Sequence, residues 1–65
     1  MTIHSLDTQI AEVRREIQMR RQVYPSQVRM RRMKEGEAEL KIAIMESVVV
    51  TLLRLREERG QSGNG

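Results

Sequence analysis

The residues best equipped for chemistry in this chain are its arginines. Arg14, Arg15, Arg20, Arg21, Arg29, Arg31, Arg32 and Lys34 are opposed between them only by Glu16, a formal +7 within a chain of net charge +3. The remainder sets Lys41, Arg54, Arg56 and Arg59 against eight acids and comes to −4. Guanidinium groups meet phosphate and carboxylate through paired N–H donors. A basic middle in an acidic frame therefore points to an anionic partner, either a nucleic-acid backbone or an acidic protein surface. The alternative is a solvated face partly paired with Glu12, Glu16 and acids further along. Nucleic acid has two marks against it. Single-strand binders stack bases on aromatic rings, and Tyr24 is the only aromatic residue here. Nor is there a short tight turn before an amphipathic second helix, as helix-turn-helix proteins require.

No catalytic arrangement emerges. His4 is the only histidine and cysteine is absent, so neither a disulfide nor a Cys/His metal site can be built from one chain. Glu35, Glu37 and Glu39 alternate at a helix start and diverge, so they do not form an acid–base pair. A glycine-rich phosphate loop is also missing. The expectation is a protein that is not an enzyme, with no cofactor, no metal and no small-molecule substrate.

The elements that would position the arginines are helical. Ile3, Leu6, Ile10, Val13, Ile17, Arg20 and Tyr24 keep a heptad-like rhythm, which predicts a first helix over about 5–23. Ser5 or Thr2 caps its start, and Asp7 suits its first turn. Pro25 is expected to end that helix and to open a short basic elbow helix over 26–33, with Val28 facing inward. A long third helix is expected over 35–59, with Glu35, Glu37 and Glu39 at its start and Arg56 and Arg59 in its last turn. The run Val48-Val49-Val50-Thr51 is β-branched, but its helical flanks and the lack of a partner strand argue against a strand. Residues 1–59 thus read as a single all-α domain, a helical hairpin with a basic elbow, and 60–65 as a flexible tail.

The third helix carries more apolar surface than one stripe can bury. Ile42, Met45, Val49 and Leu52 form one stripe, Ile44, Val48 and Leu55 widen it, and Val50 and Leu53 fall outside both. A chain of 65 residues without disulfides has one remaining staple, oligomerisation. A homodimer is therefore expected, its helices forming a bundle through Ile44, Val48, Val49, Leu52, Leu53 and Leu55. No signal peptide is visible. The apolar run is too short, and too interrupted by Glu46 and Arg54, to span a bilayer. The expected location is the cytoplasm.

Three side-chain readings follow. Tyr24 lies on the apolar register and reads as a ring stapling the first helix to the third, with an exposed partner contact as the alternative. Arg20, also on that register, either snorkels past the seam or pairs with a buried Glu46; otherwise Glu46 and Ser47 mark the wet face of the third helix. Met45 reads as core, while Met30 and Met33 are open between core and binding surface.

The segment Arg15-Glu16-Ile17-Gln18-Met19-Arg20-Arg21-Gln22-Val23-Tyr24-Pro25, followed by Glu37-Ala38-Glu39 and Ile42-Ala43-Ile44-Met45-Glu46, resembles small uncharacterised helical proteins of bacteriophages and prophages. Before the last helix, where those proteins tend to carry a glycine and then Ser or Thr, this chain has Arg31 and Lys34. The resemblance implies a phage origin, a small helical fold and a bacterial host cytoplasm. The expected function is stoichiometric binding and modulation of a host protein, a defence or regulatory component, through Arg20, Arg21, Tyr24, Arg29, Arg31 and Arg32. A basic nucleic-acid-binding accessory protein and a structural subunit of the phage particle are the alternatives.

Overall fold

The computed structural model describes the backbone of residues 2–64 and the side chains of residues 2–60. Two helices make up the described chain: α1, Leu6–Arg29, and α2, Glu35–Asn64. They pack against each other as an antiparallel hairpin measuring 52 × 22 × 18 Å.

The start of α1 follows from local chemistry. Ser5 is the N-cap: its hydroxyl oxygen accepts from the Thr8 backbone N–H at 3.1 Å, and Asp7 occupies the first turn. A hydroxyl at this position satisfies one of the helix's free N–H groups. Ile3 lies outside the helix and is exposed, so the apolar rhythm begins at Leu6.

The end of α1 departs from expectation. The helix runs through Pro25 to Arg29, and there is no separate elbow helix over 26–33. Proline lacks the N–H that would reach the Arg21 carbonyl, and its ring crowds that carbonyl. Packing outweighs this cost. Tyr24 and Val28, on either side of the proline, are half-buried and share a cleft with Ala38 and Ile42 of α2. Termination comes at Arg31, whose φ of 58° puts it in the left-handed region. The Arg31 N–H donates to the Val28 carbonyl at 3.0 Å, and the Arg32 N–H to the Gln27 carbonyl at 2.9 Å. This is the paired closure of a Schellman motif, a position where glycine is usual.

Across the turn, the Lys34 carbonyl accepts from the Ala38 N–H at 3.0 Å, so Lys34 stands at the head of α2. Its ammonium group has no acceptor to offer the free N–H groups. Glu35 and Glu37 supply the favourable charge instead. The run Val48–Thr51 is helical. The tail expected from residue 60 begins inside α2; 61–65 lie outside the residues described with side chains.

The core is thin. Ile10, Ile17 and Val49 are its buried centre, and Val13, Ile42, Met45, Leu52 and Leu53 pack against it. Ala38 is buried nearer the turn. The stripe Ile42, Met45, Val49 and Leu52 therefore faces α1, and Met45 belongs to the core as expected. Val49, Leu52 and Leu53, assigned from sequence to a dimer interface, are engaged within the hairpin. The reason is register: Ile10, Val13 and Ile17 on α1 need that much apolar surface opposite them. Among the described residues, no helix is long and apolar enough to cross a membrane.

Candidate functional site

Two groups of cations differ in what surrounds them, while Arg14, Arg54 and Arg59 are exposed on the body without an ion pair among the described residues. The first lies along the body. Arg15 forks onto Glu12, its Nε donating to Oε2 at 3.2 Å and its second nitrogen pairing with the other oxygen, and it reaches Glu16 at 2.8 Å. Arg20 pairs with Glu16 one turn earlier. Arg21 crosses to Glu46 on α2 at 2.9 Å, and Arg56 of α2 crosses back to Asp7 at 2.7 Å. Two such ties, one near the open end and one midway along the hairpin, fix the antiparallel register. Each is half-exposed and contributes at most about 1 kcal/mol.

The pairings perturb ionisation as expected. The hydrogen bond from Arg15 holds the Glu12 carboxyl below the ordinary glutamate range, and Glu12 in turn raises Arg15. Glu16 raises Arg20, with a smaller contribution from the Tyr24 hydroxyl. Arg20 therefore does not meet Glu46. The acid singled out from sequence is paired, but with Arg21, the neighbour that α1 turns toward α2. Glu46 is exposed rather than buried, and Ser47 beside it donates to the Ala43 carbonyl at 3.1 Å.

The second group lies at the turn. Arg29, Arg31, Arg32 and Lys34 are all exposed, and none meets a carboxylate at ion-pair distance among the described residues. The local sequence makes this so. Arg29 ends α1, and Arg31 and Arg32 are held outward by the Schellman closure.

Beside the turn lies an open cleft of about 400 Å³ between the end of α1 and the start of α2. Its apolar lining includes Tyr24, Pro25, Val28 and Ile42, and its rim carries Arg21, Arg29, Glu35 and Glu39. Tyr24 is half-buried there, so the ring both packs between the helices and lines the cleft. Met30 is exposed and does not line the cleft. Of the six residues assigned from sequence to partner binding, Tyr24, Arg21 and Arg29 meet at the cleft, and Arg31 and Arg32 stand on the adjoining turn. Arg20 faces back along α1 toward Glu16. Lys34, counted from sequence in the basic cluster but not among the six, is held in the open by the uncapped start of α2; sequence reasoning missed Glu35 and Glu39 as a mixed-charge rim of the cleft.

No group of histidine, cysteine, aspartate and glutamate among the described residues is arranged to hold a metal ion. No family model matches the chain, and neither curated proteins nor solved structures give a match.

Proposed function

We propose that this chain is a small phage-encoded interaction protein that binds a host protein stoichiometrically and modulates it without catalysis. The observation that carries the reading is the clustering of unmatched cations at the turn. Arg29, Arg31, Arg32 and Lys34 lie within six residues, exposed and outside any ion pair among the described residues, whereas the body's cations are either matched, as Arg15, Arg20, Arg21 and Arg56 are, or spaced apart, as Arg14, Lys41, Arg54 and Arg59 are. Cations crowded onto a turn repel one another, and an acidic partner surface relieves that repulsion. The cleft beside the turn offers an apolar foothold in Tyr24, Pro25 and Val28 next to the charge. Buried aromatic and arginine anchors of this kind carry most of the affinity at protein interfaces. The phage origin rests on the resemblance described above, and with it the assignment of the partner to a bacterial host.

The test is a pull-down from host lysate with the wild-type chain and an Arg29→Glu/Arg32→Glu variant. Both positions are exposed, so helicity should be unchanged while the stoichiometric partner is lost. Recovery of the same partner by both proteins would remove the turn from the interface. The same cations suit a phosphate backbone, which gives the second reading. A mobility shift of duplex or single strand at low salt, weakening steeply as salt rises, would favour it over the first.

A further inference from the structure

We infer that a second copy of this chain covers the outer face of α2, with the two α2 helices antiparallel, so that the assembly carries a basic turn at each end. The inference stands on α2 itself and does not depend on what the turns bind. Leu40, Ile44, Val48, Thr51 and Leu55 recur every three or four residues along one side of α2. That side lies roughly a third of a turn around the helix from the stripe facing α1. Leu40, Ile44 and Val48 are 61%, 55% and 43% exposed, and Leu55 is half-buried. The intervals from Ile44 to Leu55 are those of a coiled-coil seam.

Charge selects the occupant and its direction. Placing Ile44 of one copy opposite Leu55 of the other, and Val48 opposite Thr51, brings Lys41 opposite Glu58 at both ends of the seam. Both residues are exposed, and neither is in an ion pair among the described residues. A parallel arrangement would instead set Lys41 beside Lys41 and Glu58 beside Glu58, and would align the two helix dipoles. In the antiparallel register the seam's midpoint falls between Val49 and Val50. Each turn is then about 22 Å from the midpoint, and the two turns stand about 45 Å apart.

The experiment is equilibrium sedimentation of the full chain, combined with a distance measurement between spin labels. The chain has no cysteine, so Met30→Cys places one label at each turn. A dimer is expected, with labels about 45 Å apart, allowing for linkers. A monomer at all concentrations up to the millimolar range overturns the inference, as does a dimer whose labels lie close together. Ile44→Glu/Val48→Glu should give a helical monomer, and a dimer that persists in this variant overturns it too. Should that variant lose its helices, charge reversal decides. Lys41→Glu should weaken the dimer several-fold and Lys41→Glu/Glu58→Lys should restore it, whereas dissociation unchanged by either removes the assigned register.

Discussion

The body and the turn of this hairpin are stabilised very differently. In the body, Ile10, Ile17 and Val49 bury one another, and cross-helix pairs at Asp7–Arg56 and Arg21–Glu46 hold the register. At the turn, α1 passes through a proline, closes on an arginine in the left-handed region, and α2 opens on a lysine that cannot cap it. Cations gather there without an ion pair among the described residues, although Glu35 and Glu37 border the same surface. Each departure weakens the fold locally, and together they occupy the stretch proposed to bind. Residues chosen for the fold alone would have been a glycine at 31, a Ser or Asp at 34 and anything but proline at 25. The turn thus departs from the choices that stability alone would make, at a place where the surrounding structure can support strain and unmatched charge.

The comparison breaks most severely in the body. Val49→Glu puts a carboxylate into the centre of the thin core, between Ile10 and Ile17, and should abolish cooperative folding. Circular dichroism should show loss of helix at ambient temperature. Helicity retained at wild-type level would mean that α2 can rotate its other apolar side onto α1, and the body would not be the anchored region described here.

At the proline the sign reverses. Pro25→Ala restores the N–H aimed at the Arg21 carbonyl and removes a ring clash, a change worth about 3 kcal/mol in a helix interior. Part of this is lost because proline also restricts the unfolded chain. A net gain of about 1–2 kcal/mol is expected, measured as a shift in the denaturant midpoint. No gain would show that the ring's place in the cleft, which it lines with Tyr24, Val28 and Ile42, offsets the missing hydrogen bond.

How much of this could be read in the sequence differs between the same two regions. The apolar rhythm of α1 from Leu6 to Ile17 and the inward stripe of α2 were legible because burial imposes a period on residue type. The cap, read as Ser5 or Thr2, was legible because few side chains suit that position, and the start at Glu35 because clustered carboxylates favour a helix N-terminus. Pro25 misled because its local preference is a few kcal/mol at most, and the contacts of Tyr24 and Val28 across the hairpin exceed it. The placing of Val49, Leu52 and Leu53, assigned to a dimer and found packed within the hairpin, was open for a related reason: an apolar residue does not announce which partner buries it. Glu46 shows the limit for charge. The sequence left it open between a buried acid paired with Arg20 and part of the wet face of the last helix; its exposed place beside Arg21 depends on the rotation of α1, which the pattern leaves open to within one residue.

Arg31→Gly tests the strain at the turn with a smaller effect. An L-residue in the left-handed region costs about 1–2 kcal/mol, which glycine avoids. Glycine also loses more entropy on folding, so a gain of about 0.5–1 kcal/mol is expected, with the two closing hydrogen bonds unchanged. If the proposed function is right, this stabilised variant binds the partner more weakly, because a cation has been removed. Lys34→Asp should contribute a similar stabilisation of about 0.5–1 kcal/mol by capping α2, again with loss of binding. A variant both more stable and equally tight would break the link between the turn's weakness and its proposed role.

The smallest effect belongs to the body's surface pairs and is read through pH. The folded chain holds the Glu12 carboxyl below its ordinary range, chiefly through the hydrogen bond from Arg15. A carboxyl whose folded value is depressed adds stability that is complete above the unfolded value and disappears as pH falls through the folded one. Helix stability should therefore decline slightly on acidification below the ordinary glutamate range, and Glu12→Gln should remove that part of the decline while lowering stability at neutral pH. Because Glu12 and Arg15 are both well exposed, salt should shrink the difference between the two proteins. The turn has no matched pair to lose, so adding salt there should reduce repulsion among Arg29, Arg31, Arg32 and Lys34 instead. Opposite salt responses of Glu12→Gln and Arg32→Gln, relative to the wild-type chain, would separate the two regions in one set of melting curves, and responses of the same sign would mean the turn's cations are matched after all.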